Sequence, residues 1–470
     1  MNFQNIVVKR VSSEIIKPSS PTPSHLRHLT LSFLDQKCGP SLIPALLFYS
    51  APQGAARLDI TRLKTCLSET LTTFYPLAGR YETWGTILCN DEGIPFTESQ
   101  VNCTLSDMLN SFFSSSSSFE YLPSFYPPKQ DILPSRVHMA IQVNVFTCGG
   151  FALGWYHVHK VTDGTSATTF LRHWAALVAE NYEGVTQAQP DFKAGPTTFP
   201  PLPEEDTPVV VHESDNKEEK FETKGDSGND KTIWSSISAK RTILRSFIFK
   251  SSAMNELKAK SISDGVPNPS RYEAVTGFLW KQLLSTSTTT EKQSTITVAV
   301  NLRPITDPPL PKGSMGNIVD VAIVNSNKQA QLPELVEAIH STIAKMTDSV
   351  LNYQSENRGE HRDKHSEKFK TAILECMGKD AYMFLGWCKS AGFMDVDFGF
   401  GKPIRVIPND GVVVNISIII LTEYLDLDGG DGYEAWLFLE EDIIKSLESS
   451  PDFLAFASPS FRFDNNHVDV

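Results

Sequence analysis

Residues Tyr156–Gly164 read YHVHKVTDG and follow an apolar run, 151–155, that predicts a buried strand. Successive side chains on a strand point to opposite faces, so His157 and His159 are expected to point the same way. The closing glycine permits a tight turn, and apolar residues at helical spacing predict a helix over about 165–181. The sequence therefore places two histidines at a rigid strand end beside an open rim, which is a favourable position for chemistry.

The histidines and the aspartate that follows them also have plainer explanations. In an arbitrary His-x-x-x-Asp pattern the side chains are more often buried polar groups satisfied by hydrogen bonds, because short patterns recur by chance. Two histidines and an aspartate also offer three metal ligands. No further cluster of cysteine and histidine accompanies them in the sequence, so we predict no metal site.

A second motif lies far downstream, where residues 397–403 read DFGFGKP in a segment with little periodicity. Together with His159-x-x-x-Asp163-Gly164, it resembles the signature pair of the plant BAHD acyltransferases. Those enzymes transfer acyl groups from coenzyme A (CoA) thioesters to alcohols or amines. The resemblance covers nearly the whole chain, through landmarks in family order at Tyr75–Arg80 (YPLAGR), Tyr272–Ala274 (YEA), Asn301–Pro304 (NLRP) and Gly316-Asn317 (GN).

The DFGFG motif departs from the usual family pattern at Phe400, where tryptophan is typical. Phenylalanine keeps the bulk of the side chain but lacks the indole N–H donor. Gly399 and Gly401 permit a sharp bend and a close approach of the backbone. We expect Asp397 and the two glycines to support the site structurally. Phe400 is expected to form part of the channel wall on the CoA side, without a catalytic role.

The chain has 470 residues, more than one ordinary hydrophobic core accommodates, so two domains are expected. Its composition, 40% hydrophobic and 21% charged, is typical of a soluble globular protein. The formal net charge of -13 argues against a nucleic-acid partner, which requires a basic face. Any site for the CoA phosphates must then be a local basic patch on an acidic protein.

Signals for secretion or membrane insertion do not stand out in the sequence. The first ten residues lack a basic-then-apolar pattern, and no apolar run reaches the length of about 18 residues that a membrane span requires. The seven cysteines are scattered and form no Cys-x-x-Cys pair, which favours free thiols in a reducing compartment. We expect a cytoplasmic protein with no membrane partner, and a monomer is the simplest assembly.

Helical and strand patterns mix along the chain without strict βαβ alternation, which predicts an α/β fold with mixed β-sheets and flanking helices. We predict an N-terminal domain over 1–203, a flexible crossover linker over 204–233 and a C-terminal domain over 234–470. A segment near 380–395 is expected to pack with the N-terminal domain. The family resemblance implies two similar domains with an active-site channel at their interface.

Two local predictions concern the N-terminal domain. Residues His28 to Phe33 are predicted as a short strand. The serine-rich segment Ser111–Ser118 is predicted as a flexible surface loop.

Acyl transfer from a thioester to a hydroxyl requires a base, because an alcohol is a poor nucleophile until it loses its proton. Neutral imidazole suits this role near cellular pH, so His159 is predicted as the general base that later returns the proton to the CoA thiolate. His157 is predicted to form part of the channel wall, and a share in the work of the base is the alternative. An oxyanion donor is also required, and the sequence does not place one.

Asp163 invites the assignment of a His–Asp dyad. It lies past the predicted strand end and before a turn, however, so its carboxylate need not face the imidazole. The family resemblance implies a structural role instead, in which Asp163 pairs with Arg303. Such an arginine–carboxylate pair would fix the loop that presents His159.

Lysine and serine side chains in the second half of the chain are candidates for binding the CoA phosphates. A helix that begins near residue 251 would offer backbone N–H groups to a phosphate, although surface lysines are usually only solvated. The candidates are Lys250, Ser251, Ser252, Lys258, Lys260 and Lys312.

The sequence therefore predicts a CoA-dependent O-acyltransferase without a bound cofactor, which takes acetyl-CoA as co-substrate and a small hydroxylated natural product as acceptor. Nothing in the sequence suggests a charged pocket for malonyl. The context of His159 and the N-terminal region resemble family members that acetylate alkaloid or terpenoid alcohols, which implies a bulky apolar acceptor such as an indole alkaloid. Alternatives are a malonyltransferase or N-acyltransferase of the same fold, or a catalytically weak ligand-binding relative in which Phe400 marks lost turnover.

Overall fold

The computed structural model of the chain describes residues 5–39, 41–51, 58–114, 122, 124–127, 137–202, 209–211, 220–222, 242–287, 292–353, 371, 380–388, 392–408, 416–425 and 431–460. In the first half, the strands among these residues are β1 (Val8–Ile16), β2 (His28–Thr30), β3 (Leu42–Tyr49), β4 (Arg80–Thr83), β5 (Thr86–Leu88), β6 (Ile94–Val101), β7 (Met139–Val145) and β8 (Phe151–Val158). The helices there are α1 (Phe33–Lys37), α2 (Ile60–Thr73), α3 (Leu105–Ser114), α4 (Gly164–Val178), α5 (Tyr182–Gln187) and α6 (Ala194–Thr198).

The second half of the chain continues the mixture of strands and helices. Its described strands are β9 (Val209–Val211), β10 (Lys220–Glu222), β11 (Thr242–Phe249), β12 (Gln293–Asn301), β13 (Val319–Asn327), β14 (Ala381–Gly386), β15 (Arg405–Pro408), β16 (Ile418–Leu425), β17 (Asp431–Glu440) and β18 (Ser458–Pro459). Its described helices are α7 (Ser251–Lys260), α8 (Arg271–Thr286), α9 (Leu332–Tyr353), α10 (Glu441–Glu448) and α11 (Pro451–Leu454).

Two large mixed sheets organise the described part of the fold. The first has the order β1-β6-β7-β8-β3-β15, in which β6 and β7 are parallel and the other neighbours are antiparallel. The second has the order β13-β12-β14-β16-β17-β11-β18 and contains two parallel pairs around β14. Two buried apolar clusters accompany the sheets. The first contains residues of the first sheet, α2 and α4, together with residues of β11, β16 and β17 from the second sheet. The second contains residues of the second sheet, α8 and α9. The predicted α/β class with mixed sheets and flanking helices is confirmed.

Strands β14 and β15 follow each other in the chain but belong to different sheets. Strand β14, which begins the expected segment near 380–395, lies inside the second sheet. The crossing strand is β15, which pairs antiparallel with β3 of the first sheet. Phe393 and Phe398, just before it, are buried in the first apolar cluster. Strand β14 has parallel partners on both sides in the second sheet. Its side chains Met383 and Leu385 nevertheless pack against the first apolar cluster. The expected packing of the segment near 380–395 with the N-terminal domain stays a prediction.

Two local predictions need correction. Residues 28–33 do not form one strand, because β2 ends at Thr30 and α1 begins at Phe33. The start of α1 is fixed by a capping box, in which Ser32 accepts from the Asp35 backbone and the Asp35 carboxylate accepts from the Ser32 backbone. The serine-rich segment begins inside a helix, since α3 continues to Ser114, and residues 115–118 lie outside the described part.

Most of the predicted linker 204–233 lies outside the described residues. Within it the structure has the antiparallel pair β9 and β10, in which Val210 is opposite Phe221. The proposed domain boundaries, 1–203 and 234–470, stay a prediction.

Candidate active site

His159 follows strand β8 directly and stands at the end of a fixed backbone. Strand β8 is buried throughout and pairs with both β3 and β7. The backbone N–H of His159 donates to the carbonyl oxygen of Ser41 at 2.8 Å, whereas its side chain is only half-buried. The His157 ring lies with its centroid 6.4 Å from that of His159, as the two-residue strand period predicts. The imidazole of His159 is therefore held rigidly but stays reachable.

The Asn317 side chain determines which nitrogen of His159 carries the proton. The His159 Nδ1 atom lies 2.8 Å from Asn317 Oδ1, and Asn317 Nδ2 donates to the His159 carbonyl oxygen at 2.5 Å. Because an amide oxygen can only accept, Nδ1 must donate, and the proton of the neutral ring is on Nδ1. The lone pair is then on Nε2, which is the nitrogen able to take a proton from a substrate.

Asp163 and Arg303 form a buried ion pair. Arg303 Nη1 donates to Asp163 Oδ2 at 2.7 Å, and Arg303 Nη2 donates to Asp163 Oδ1 at 3.1 Å. Both side chains are at most 3% exposed. Asp163 also caps α4, because its Oδ1 accepts from the Ser166 backbone at 2.8 Å. The family resemblance implied a pair between Asp163 and Arg303, and the structure contains this pair.

The segment 316–318 connects the ion pair to the histidine. The Gly316 carbonyl oxygen accepts from Arg303 Nη2 at 3.3 Å, and the Ile318 backbone donates to Asp163 Oδ2 at 3.0 Å. Asn317, which holds His159, lies between these two anchored residues. No hydrogen bond among the described residues joins the Asp163 carboxylate to the His159 ring. The ion pair therefore acts on the segment that carries Asn317.

The pKa of Asp163 reflects its partners. Burial raises it, but the charge of Arg303 and the hydrogen bonds from Arg303 and Ser166 outweigh that effect, so the pKa lies below its usual value. Asp163 is therefore a carboxylate with all its bonds directed at structural partners. It is not poised to exchange protons during a reaction at neutral pH.

His157 is a poorer candidate for the base than His159. Its side chain is 3% exposed and packs on Trp155, with ring centroids 4.8 Å apart. Burial, with a smaller contribution from the neighbouring His159, lowers the pKa of His157 to about 3. Since the fold strongly disfavours the imidazolium form of His157, this ring is not suited to hold a proton during turnover. Its predicted place in the channel wall stays a prediction.

Lys160, next to His159, is an unusually buried lysine. Its side chain is 1% exposed, with Nζ 3.6 Å from the centroid of the Trp84 ring. The same Nζ donates to the carbonyl oxygens of Asp35 and Gln36 at 3.5 and 3.4 Å, at the end of α1. Burial lowers the pKa of Lys160 to about 7, against opposing effects of Cys38 and Asp35. Lys160 therefore ties helix α1 to the histidine-bearing loop.

Replacing Lys160 with methionine should remove part of the pH dependence of stability. Above pH 7 the folded state releases a proton that the unfolded state keeps up to about pH 10.4, so the free energy of unfolding rises with pH in this window. The wild type should gain on the order of 1 kcal/mol per pH unit relative to Lys160→Met. Urea unfolding of both proteins at pH 6.5, 7.5 and 8.5 measures this difference; parallel curves would mean that Lys160 stays charged in the fold.

The DFGFG motif forms a tight turn that is docked on the first apolar cluster. Asp397 Oδ1 accepts from the backbones of Gly399 at 2.8 Å and Gly401 at 3.0 Å, and both glycines have positive φ, 90° and 95°. The Phe398 ring packs edge-on against Trp174 of α4, with centroids 4.9 Å apart. Phe400 is half-buried on Phe151.

The position of this turn along β8 separates it from His159. Phe151 is the first residue of β8, and His159 comes just after its last residue. At about 3.3 Å per residue, the two ends are roughly 25 Å apart. The turn therefore cannot touch atoms that react at His159. The role of Phe400 in the channel wall stays a prediction. It concerns a part of the channel that is well away from His159.

The candidates for CoA binding lie in two places. Helix α7 and the residue just before it carry five of the candidates, which are Lys250, Ser251, Ser252, Lys258 and Lys260. The three lysines among them are exposed or half-buried. Ser251 Oγ also lies 3.4 Å from the Asp431 carboxylate, which competes with a phosphate there. Lys312 is exposed in another loop, beside Gly313, whose carbonyl oxygen accepts from the Asp191 backbone at 2.8 Å. No described contact joins Lys312 to α7.

No group of three or more histidine, cysteine, aspartate or glutamate side chains in the described part of the chain is arranged to hold a metal ion. Within the same residues, no helix combines the length and apolarity that crossing a membrane requires.

Comparisons with known proteins identify relatives along nearly the whole chain. The model of the Transferase family matches residues 6–454. Stemmadenine O-acetyltransferase of Catharanthus roseus is 31% identical, over 96% of this chain and 98% of that protein. Akuammiline synthase 2 of Alstonia scholaris is 33% identical, over 96% of both chains. The crystal structure of vinorine synthase superimposes with a TM-score of 0.74 at 28% identity, over 97% of this chain and all of that one.

Fold, site and relatives together define an acyl-CoA-dependent O-acyltransferase. The chain belongs to the plant BAHD family of acyltransferases, whose members take an acyl-CoA as co-substrate. The resemblance carried by HxxxD, DFGFG and their intermediate landmarks is thereby confirmed.

Two residues at the site were not assigned a role from the sequence. Asn317 belongs to one of the family landmarks, but the sequence did not predict its contact with His159. Asp35 was not noticed, because α1 is five residues long and shows no periodicity. The spacing Ser32-x-x-Asp35 was the signal that could have found it, since it matches a capping box.

Proposed function

We propose that the protein transfers an acetyl group from acetyl-CoA to a hydroxyl of a specialised metabolite, with His159 as the general base. The observation that carries the proposal is the orientation of the imidazole, which Asn317 holds through Nδ1 so that Nε2 is left with its lone pair. Nε2 takes the proton of the acceptor hydroxyl as its oxygen attacks the thioester carbonyl. The tetrahedral intermediate then expels the CoA thiolate, which receives that proton from the imidazolium.

The remaining site residues are proposed to support this reaction without entering it. Asp163 and Arg303 hold the segment around Asn317, and their bidentate geometry suits a fixed support. Asp397, Gly399 and Gly401 are proposed to hold the DFGFG turn. The phosphates of CoA are proposed to bind a local basic patch, for which Lys250, Ser251, Ser252, Lys258 and Lys312 are the candidates.

The donor and the acceptor class are proposed from a relative and from the motif context. Stemmadenine O-acetyltransferase is by its name an enzyme that acetylates a hydroxyl of stemmadenine, and it aligns along almost the whole chain. An acetyl donor and a bulky apolar hydroxylated acceptor, such as an indole alkaloid, fit this similarity. We also propose a cytoplasmic location, since the cysteines among the described residues are free thiols. A monomer is proposed as the simplest assembly.

The test is release of free thiol from acetyl-CoA by the wild-type protein with a panel of acceptors. The panel contains hydroxylated alkaloids, terpenoids, phenylpropanoids and simple alcohols, and mass spectrometry identifies the products. We expect an O-acetylated product from at least one bulky apolar alcohol and no release above background without acceptor. Malonyl-CoA and amine acceptors serve as matched competitors. A malonylated or N-acylated product as the main outcome would overturn the donor or the acceptor assignment. Binding of CoA with no turnover on any pair would favour a ligand-binding relative.

A further inference from the structure

Asp35 is a buried carboxylate with no assigned role, and it lies next to the residue that orients His159. It is 2% exposed in the first turn of α1. Its Oδ2 accepts from the backbone and hydroxyl of Ser32 at 3.0 and 2.6 Å. Its Oδ1 accepts from the backbone of Asn317 at 2.6 Å and from Asn317 Nδ2 at 3.2 Å. The carboxylate thus joins α1 to a segment 282 residues further along the chain.

These contacts permit only one orientation of the Asn317 amide. Both the Asp35 carboxylate and the His159 carbonyl are acceptors, so both require the Nδ2 end of the amide. The Oδ1 end must then face His159 Nδ1, as observed. A flipped amide would place its oxygen against two other oxygens and its N–H groups against Nδ1. Asp35 therefore selects the orientation in which the neutral ring keeps its proton on Nδ1.

We propose that Asp35 is a positioning residue for acyl transfer, which acts through Asn317 to hold His159 with Nδ1 protonated and Nε2 available as the base. The proposal rests on the proposed function, because it concerns the same histidine. Asp35 does not contact the His159 ring through any described hydrogen bond. It fixes the amide that does, and its negative charge favours the imidazolium formed when Nε2 takes the proton.

Hydrogen bonds to the carboxylate and contacts at the end of α1 hold Asp35 in place. Burial raises the pKa of Asp35 above its usual value, and the hydrogen bonds from Ser32 and Asn317 offset only part of that rise. The carboxylate is the form that accepts all four of these bonds. Lys160 Nζ lies over the Trp84 ring, and the Trp84 indole donates to the Gln36 carbonyl oxygen at 2.7 Å. The end of α1 is therefore held by Lys160 and Trp84, and its start is held by the capping box.

Several titratable groups surround His159, and a pH profile has to be interpreted against all of them. His157 stays neutral, and the Asp163 carboxylate is committed to Arg303. Asp35 acts through Asn317 and has Lys160 and Cys38 as charged or titratable neighbours. Burial raises the pKa of the Cys38 thiol to about 12, so this group stays protonated across the working range. Among these neighbours, Lys160 is the group that changes charge near neutral pH. A fall of kcat/KM on the acidic side of the profile, here called the acidic limb, would not come from Lys160 if it lies well below pH 7.

The decisive experiment is a kinetic double-mutant cycle on Asp35→Asn and Asn317→Ala with the acceptor found by the panel. Each single variant should lower kcat by up to about a hundredfold, because a misplaced base loses its alignment with the substrate. The KM for acetyl-CoA should change less than threefold or so, since neither residue is proposed to bind the donor. In the Asn317→Ala background, Asp35→Asn should have little further effect, because its route to His159 is already lost.

The pH profile separates positioning from mere stability. Asp35→Asn should move the acidic limb of kcat/KM to lower pH, because the imidazolium loses a stabilising charge. Glu434→Gln is the matched control, since Glu434 is another 2% exposed carboxylate that is paired with Arg405 at 2.7 Å. That control should lower the melting temperature without moving the limb.

The possible outcomes distinguish this inference from the proposed function. Equal losses from Asp35→Asn in both backgrounds, or an unmoved acidic limb, would overturn the positioning role while His159→Ala still lowers kcat by about a hundredfold or more. Full activity of His159→Ala would overturn the proposed function itself. Asp35→Asn keeps the size and shape of the side chain, and circular dichroism checks that each variant is folded before its kinetics are compared.

Discussion

His159→Ala should lower kcat by about a hundredfold to ten-thousandfold, the usual contribution of a general base. Without the imidazole, the acceptor hydroxyl must lose its proton to water as it attacks the thioester, and no group returns that proton to the thiolate. The affinity for acetyl-CoA should change little, because the side chain contacts the reacting atoms and not the proposed phosphate site. Steady-state thiol release and calorimetric titration with CoA measure the two quantities on the same protein.

The matched comparison for this loss is His157→Phe, which keeps a buried aromatic ring beside Trp155. If His159 alone is the base, His157→Phe should keep most of the turnover, since burial already excludes the imidazolium form of His157. Similar losses in the two variants would mean that the histidines share the work. Turnover of His159→Ala near the wild-type rate would contradict the assignment of the base altogether.

The sequence predicted those parts of the site that depend on local pattern. The apolar run 151–155 predicted strand β8, helical spacing predicted the helix after Asp163, and the strand period placed His157 and His159 on one side. The contact between Asp163 and Arg303 came only from the family resemblance. Sequence separation hides such a pair, because the two residues are 140 positions apart.

The parts that the sequence did not predict depend on distant packing. Asp35 accepts a hydrogen bond from Asn317, which is 282 positions further along the chain, and no local sequence pattern predicts that contact. The DFGFG turn was expected near the CoA, but its location against Phe151 and Trp174 depends on how the chain crosses between the sheets. Strand β14 pairs with parallel neighbours on both sides in the second sheet, and the crossing to β3 is made by β15.

Arg303→Ala should destabilise the protein by about 3–5 kcal/mol, the cost of leaving one member of a buried ion pair without its partner. Asp163 would keep its charge at 2% exposure, with the backbone donors of Ser166 and Ile318 as its remaining partners. Asp163→Asn should also destabilise, since Arg303 would keep only neutral acceptors such as the carbonyl oxygen of Ser314. Urea unfolding at pH 7 measures both free energies.

The double variant shows whether the ion pair is the reason for these losses. With both charges gone, neither is left buried and unpaired, so the combined destabilisation should fall short of the sum by more than about 1 kcal/mol. Lys402→Ala is the matched control, because the bridge from Lys402 to Asp395 spans 2.9 Å between side chains that are 55% and 53% exposed. An exposed bridge of this kind should change stability by less than about 1 kcal/mol. Strict additivity of Arg303→Ala and Asp163→Asn would mean that the two side chains do not depend on each other, and that the segment around Asn317 is held by its backbone contacts alone.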